Sequence, residues 1–243
     1  MTGAAASFSA AYRVRFDEAG PDGCLRTSGF LRYVQDLASQ HSEALGYDRA
    51  WYAERGLTWL VRAADITVSR GVRYGSTLEG VTRVVGFRRV WSRRESSFAL
   101  PDGIAATVLV DWVLIDRRGA PTRIPAEFEQ AFGASPTGLA LGRVDLGESP
   151  DGTAIVRGFA VRPQELDPMD HVNNAVYADW LDEATGTDAG TIPRRVRLEY
   201  AGSAGPGERL TATSWRTDAG WSVRATSEET GRELLRGRLA LSG

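Results

Sequence analysis

The sequence predicts an α+β protein made of two tandem units, each an antiparallel sheet wrapped around one long helix. Three observations carry that expectation. The order strand, helix, four strands occurs twice along the chain. Each run at helical spacing has a single apolar face, as a helix does when one side packs on a sheet. A stretch rich in Gly, Pro and Arg separates the two sets, as a connection between domains does. With 243 residues, 42% of them hydrophobic, the chain can bury one large core or two of roughly 100–120 residues each.

The first unit is expected over residues 1–133. Phe8, Ala10, Tyr12, Val14 and Phe16 alternate as a half-buried strand, which Gly20-Pro21-Asp22-Gly23 ends in a turn. From Ser28 the period changes: Phe30, Val34, Leu37, Ala38, His41 and Leu45 mark one face of a helix that stops at Gly46. After a loop holding Trp51, Tyr52 and Gly56, strands are expected over 58–70, 77–89, 91–100 and 104–116, with a short helix over 126–132. A linker over 134–146 leads to the second unit, 147–243, with strands over 153–161, 194–201, 208–217, 221–227 and 233–241. The frame of Ile66-Thr67-Val68 to Tyr74-Gly75-Ser76-Thr77-Leu78 returns in Leu198-Glu199-Tyr200 and Pro206-Gly207-Glu208-Arg209-Leu210, a period of about 130 residues that is a whole domain. Two such units would set their sheets side by side, with the loop before each helix near the boundary.

Composition excludes several classes of function. A single cysteine, Cys24, allows no internal disulfide and fits a reducing compartment. No apolar run approaches the ~20 residues of a membrane span, and the Ala-rich start lacks the pattern of a signal peptide, so a cytoplasmic location is expected. A formal net charge of −2 argues against a general nucleic-acid binder, and all 29 basic side chains are arginine. Two histidines and one cysteine, far apart, make no metal set, and no Gly-rich phosphate loop is present, so neither metal nor organic cofactor is expected.

The chemistry concentrates between Arg162 and Ala184. A loop carrying Asp167, Asp170 and His171 runs into Asn173-Asn174, and Tyr177, Trp180, Leu181 and Ala184 follow at helical spacing, so a helix is expected to start at 173 or 174. The first backbone N–H groups of a helix lack partners within it and carry the positive end of its dipole, so they can hold an oxygen that becomes negative during a reaction. A carboxylate beside such an anion hole suits attack of water on a carbonyl, such as that of a thioester.

The run Asp167-Pro168-Met169-Asp170-His171-Val172-Asn173-Asn174, followed by Tyr177 and Trp180, resembles the signature of hot-dog-fold thioesterases, and the duplicated layout is similar to the acyl-acyl-carrier-protein thioesterases of plants and bacteria. The resemblance extends to Gln35-Asp36 and His41-Ser42-Glu43 on the first helix, Thr58-Trp59-Leu60-Val61-Arg62, Arg93-Arg94-Glu95, Asp111-Trp112-Val113 and 123–127. It is weakest in the last 40 residues or so. The chain departs from the family where Met169 replaces an Asn of the loop and Ser203-Ala204 replaces a Glu-Cys pair. Around Asp167 it is closer to single-hot-dog acyl-CoA thioesterases of the 4-hydroxybenzoyl-CoA type.

What the resemblance implies is release of a free fatty acid from acyl-acyl-carrier protein without a cofactor. Asp167 would be the general base or the nucleophile, with His171 and Asn173 fixing the geometry. Trp59, Asn174 and Tyr177 would contact substrate. Each has a plainer alternative: Asp167 as a turn opener, His171 as a packed imidazole, Asn173 as an N-cap, Trp59 and Tyr177 as core. His41 reads as a core histidine and Cys24 as an inert thiol. Arg88, Arg89, Arg93 and Arg94 crowd one stretch that either steers an acidic carrier protein or is a solvated strand face. Acyl-CoA as donor, a homodimer, a hot-dog hydratase or dehydratase and a non-catalytic acyl-thioester-binding module remain compatible with the sequence. The seven residues before the first strand leave little for a DNA-binding element of a lipid-sensing regulator.

Overall fold

The computed structural model describes residues 6–134, 143–149 and 153–241. Ten strands form one antiparallel sheet: β1 (Phe8–Arg13), β2 (Thr58–Val68), β3 (Thr77–Arg88), β4 (Trp91–Leu100), β5 (Gly103–Ile115), β6 (Ile155–Ala160), β7 (Arg194–Tyr200), β8 (Arg209–Thr217), β9 (Gly220–Ser227) and β10 (Glu233–Leu241). Their order across the sheet is β1-β3-β4-β5-β2-β7-β10-β9-β8-β6. Read from the centre outward, each half repeats the order of the other. The halves meet where β2 pairs with β7, from Ala63 opposite Glu199 to Val68 opposite Arg194. Ile66 faces Val196 across this seam, both fully buried. On the outer face, Arg195 makes a bidentate pair with Asp65 at 2.8 and 2.6 Å.

Each half wraps a helix. The long α1 (Thr27–Ala44) lies on the first half of the sheet, and α4 (Val176–Thr185) on the second. Glycines let them sit close. A Cβ on Gly80 of β3 would stand 3.0 Å from Leu37 of α1, and one on Gly237 of β10 would stand 2.6 Å from Leu181 of α4. One core runs through both halves, from Phe30, Leu37 and Phe98 to Tyr177, Leu181 and Leu235. A separate aromatic cluster caps the far end of α1. There α2 (Arg49–Arg55) and α3 (Glu127–Ala131) bring Trp51, Tyr52 and Phe128 against Tyr47, Trp59 and Phe132. No described helix is long and apolar enough to cross a membrane.

Two local expectations are corrected. Residues 49–55 form a helix where a loop is expected: the Asp48 carboxylate accepts from Trp51 N at 2.8 Å and Gly56 closes the end with φ 62. The second helix starts at Val176 instead of 173 or 174, because the Asn173 side chain caps Ala175 N at 2.9 Å but the turn it opens closes with Val176 N on Asn173 O. It therefore has 10 residues against 18 for α1. Most of the expected linker, 135–142, lies outside the described residues; at its ends Ala134 packs into the aromatic cluster of the first half, and Val144 and Leu146 pack on Trp215 of the second.

Because one sheet and one core span both halves, Ile66→Ala at the seam should cost the whole molecule about 2–5 kcal/mol. Denaturant unfolding should remain a single transition with a lower midpoint. Two transitions, of which only one moves, would contradict a shared core.

Candidate active site

The loop before α4 is shaped by its backbone. Arg162 N and Glu165 Oε2 close a short 3-10 turn at 2.8 Å, Leu166 bridges to Val172, Asp167 N donates to His171 O at 2.7 Å, and Asp170 N donates to Asp167 O at 3.0 Å. The first half contains the same loop. Arg15 N donates to Glu18 Oε2 at 2.8 Å, Ala19 bridges to Leu25, and Gly20 N donates to Cys24 O at 2.8 Å. Gly23 and Asp170 both hold the left-handed conformation, with φ 74 and φ 60. The backbone is thus duplicated but the chemistry is not: Gly20, Cys24 and Arg26 stand where the second loop has Asp167, His171 and Asn173.

Asp167 is half-buried, and its Oδ1 accepts from Met169 N at 2.8 Å and His171 N at 3.3 Å. This is the turn-forming role open to any Asp-Pro, yet it engages only one carboxylate oxygen; Oδ2 has no hydrogen bond among the described residues. His171 is half-buried beside it, and its ring has no hydrogen-bond partner among those residues. Asn173 reaches into the other half. Its Nδ2 donates to Gln35 Oε1 of α1 at 3.2 Å, and Gln35 Nε2 donates back to Asn173 Oδ1 at 3.4 Å. Gln35 is the site residue that spacing within the second half could not supply, since 138 residues separate the pair.

The backbone donors expected at the helix start are partly used. Ala175 N goes to the Asn173 side chain and Val176 N to Asn173 O, which leaves Asn174 N without a partner among the described residues. Asn174 O accepts from Tyr200 OH at 3.0 Å. Tyr177 sits in the core, 1% exposed, where its hydroxyl accepts from Ala204 N at 3.1 Å and burial pushes its pKa up to about 12.

A cavity of about 570 Å³ opens in the first half, between α1 and the sheet. Gln35, Ala38, Ser39 and Ser42 of α1 form one wall, Trp59, Val84, Phe87, Ser92, Arg94 and Trp112 of the sheet another, and Tyr52, Phe128 and Phe132 close it. Pro168 and Met169, from the loop of the second half, complete the rim. Trp59 therefore does line a cavity, and its Nε1 donates to Tyr52 OH at 3.1 Å.

The arginine cluster does not stay together. Strand alternation sends neighbours to opposite faces. Arg88 and Arg89 are exposed at the β3–β4 turn, and Arg93 is bidentate to Asp111 at 2.6 and 2.8 Å on the outer face. Arg94 is 5% exposed inside, with Nη1 2.8 Å from His41 Nδ1, so it cannot meet a carrier protein at the surface. Arg94 is corrected accordingly.

Residues 5–132 match the family model of the acyl-ACP thioesterase N-terminal domain, and residues 148–236 that of the C-terminal domain. The chain belongs to the acyl-ACP thioesterase family. A chloroplastic palmitoyl-acyl carrier protein thioesterase of Cuphea hookeriana is 24% identical over 93% of this chain, and one of Arabidopsis thaliana 25% identical over 93%. The chain spans 60% and 62% of the length of those relatives. Among solved structures, a putative oleoyl thioesterase of Lactobacillus plantarum superposes with a TM-score of 0.84 at 19% identity, covering 100% of this chain and 99% of its own. A 12:0-ACP thioesterase of Umbellularia californica does so with 0.79 at 22%, covering 96% of each. The fold is thus that of tandem hot-dog units. Where the chain departs from the acyl-ACP thioesterase pattern, Met169 has become part of an apolar rim and Ala204 a buried backbone partner of Tyr177 and Val172.

The Gln35–Asn173 contact should be energetically real. In a double-mutant cycle, Gln35→Ala and Asn173→Ala should show a coupling of about 0.5–1.5 kcal/mol in unfolding free energy. Strict additivity would mean that the two amides merely lie near one another.

Proposed function

We propose that the protein is a thioester hydrolase that releases a free acyl acid from acyl-acyl-carrier protein. The observation that carries this is the crossing of the two halves: the loop bearing Asp167 belongs to the second half, yet its tip forms the rim of the cavity in the first. An acyl chain lying in that cavity along α1 brings its thioester carbonyl to the loop. Family membership supports the same chemistry.

In this mechanism the Asp167 carboxylate, with Oδ1 held by the loop amides, presents Oδ2 to the reaction. As general base it takes a proton from water while the hydroxide attacks the carbonyl; the tetrahedral oxyanion is held by Asn174 N, and its collapse expels the thiolate, which recovers the proton from Asp167. As nucleophile, Asp167 forms a mixed anhydride and releases the thiol, and water then cleaves the anhydride. Both routes need the ionised carboxylate. Asn173, braced by Gln35 across the two halves, fixes the turn that aims Asn174 N, and His171 orients the loop. Of the residues expected to touch substrate, Trp59 contributes through the cavity wall, Asn174 through its backbone, and Tyr177 indirectly, by holding Ala204 behind the loop. The exposed Arg88 and Arg89, next to the cavity residue Phe87, are the arginines of the cluster that an acidic carrier protein would meet.

Asp167→Asn keeps an oxygen for Met169 N and His171 N, so the loop should survive while hydrolysis falls by roughly two to four orders of magnitude. His171→Ala should cost less, and Cys24→Ser should leave turnover near wild type. The check is thiol release from a panel of acyl thioesters, with circular dichroism to verify folding. A folded Asp167→Asn protein that keeps more than about a tenth of wild-type turnover would overturn this assignment.

A further inference from the structure

The cavity wall carries a buried charge. On the inward face of β4, Ser92, Arg94, Ser96 and Phe98 alternate with outward residues, which puts a buried guanidinium in a wall shared with aromatic rings, while Glu43 and Arg49, both exposed, line the same cavity. Arg94 forms part of the cavity wall. Its one hydrogen bond among the described residues is to His41 Nδ1. A guanidinium can only donate, so that nitrogen must accept; the Phe132 ring face, with its centroid 5.6 Å from Arg94 Cζ, also meets the charge, but neither contact supplies a carboxylate. No carboxylate among the described residues lies within ion-pair reach of Arg94. Burial lowers its pKa to about 10, which still leaves it charged at neutral pH.

A buried charge without a counter-ion is costly, and its presence beside open space points to an anion that comes from outside. Trp112, opposite Ser92 in the strand register, lines the same chamber, but its Nε1 is buried away from the open space and has no hydrogen-bond partner among the described residues. If Arg94 only braced His41, one N–H would suffice, and a methyl-ended chain would have to press its tip against the remaining charge. Along α1, His41 lies six residues beyond Gln35, so the cation is ~9 Å further down the helix than the Asp167 loop's anchor.

We propose that the cavity is built for acyl chains that carry a carboxylate at their far end, which pairs with Arg94. This rests on the thioesterase assignment for the identity of the near end, and it adds a substrate class: half-thioesters of dicarboxylic acids. The far carboxylate accepts from the Arg94 N–H groups that His41 does not take. Chain length is then set by the distance from the loop to the cation, because a shorter chain leaves the charges apart and a longer one must buckle.

The test uses the full chain and two matched ladders of acyl-pantetheine amides, in which nitrogen replaces the thioester sulfur so that nothing is cleaved. One ladder ends in methyl and the other in carboxylate, and binding is measured by calorimetry. At the best length the carboxylate-ended compound should bind about tenfold tighter or more, as a charge-assisted pair does. Arg94→Met should abolish or reverse that preference, and Arg94→Lys should retain part of it. Should Arg94→Met fail to fold, the preference of the wild-type protein decides alone. Equal or tighter binding of the methyl-ended ladder at every length, or binding of neither, would overturn the proposal. Hydrolysis of the parent thioesters is measured separately, so a protein that binds with the predicted preference but does not cleave would count against the catalytic assignment only.

Discussion

The pairing of β2 with β7 is the interaction on which the rest of the molecule depends. Six residue pairs, reinforced by Arg62 on Glu199 and Arg195 on Asp65, turn two half-sheets into one. Each half alone would leave this strand as a flat edge with unpaired backbone groups. Joined antiparallel at the centre, the halves are related by an approximate two-fold rotation. Their helices pack against one another, with Arg32 of α1 reaching Asp179 of α4 at 3.3 Å. The rotation also carries the loop before each helix across the seam, onto the helix of the other half. The proposed site, one half's loop on the rim of the other half's cavity, follows directly from the seam.

The symmetry is kept in the backbone and broken in the side chains. The loop of the first half, with Gly20 and Pro21, borders a second cavity of about 490 Å³ beside α4, one that no described strand residue lines. Its walls carry Asp17, Glu18, Asp179, Asp182 and Asp188 with Arg15, Arg26 and Arg32. Burial pushes Asp182 up to about 7, against the pull of Arg194. Such a chamber suits water and ions and gives an acyl chain no apolar wall. The first chamber, by contrast, gained α2, α3 and a shell of aromatic rings at its closed end. One loop kept a carboxylate, an imidazole and an amide, while the other kept only the turn.

Much of the fold was legible because strand alternation and helix spacing are local. The limits of β4 and β10 fall at 91–100 and 233–241, as their patterns predict. Residues 49–55 were missed although both signals, Asp48 as N-cap and Gly56 as stop, stand in the sequence; the aromatic run between them masked the period. Asn173 does cap by type, its side chain accepting from Ala175 N, but the turn it opens closes on the third residue, Val176 N on Asn173 O, so the regular helix begins only at Val176. Gln35 itself was out of reach, since nothing local to α1 says which face meets the other half. The arginines show a different limit. As neighbours in sequence, Arg93 and Arg94 look like one patch, but a period of two puts an ion pair on the outside and a lone cation within.

In the proposed mechanism, catalysis and chain binding belong to different halves of the chain. A crystal structure with a bound, uncleavable acyl-pantetheine analogue should place the acyl chain between α1 and the first half of the sheet, past Trp59, with its carbonyl beside Asp167. An acyl chain lying instead along α4, in the chamber bordered by Gly20 and Pro21, would contradict it.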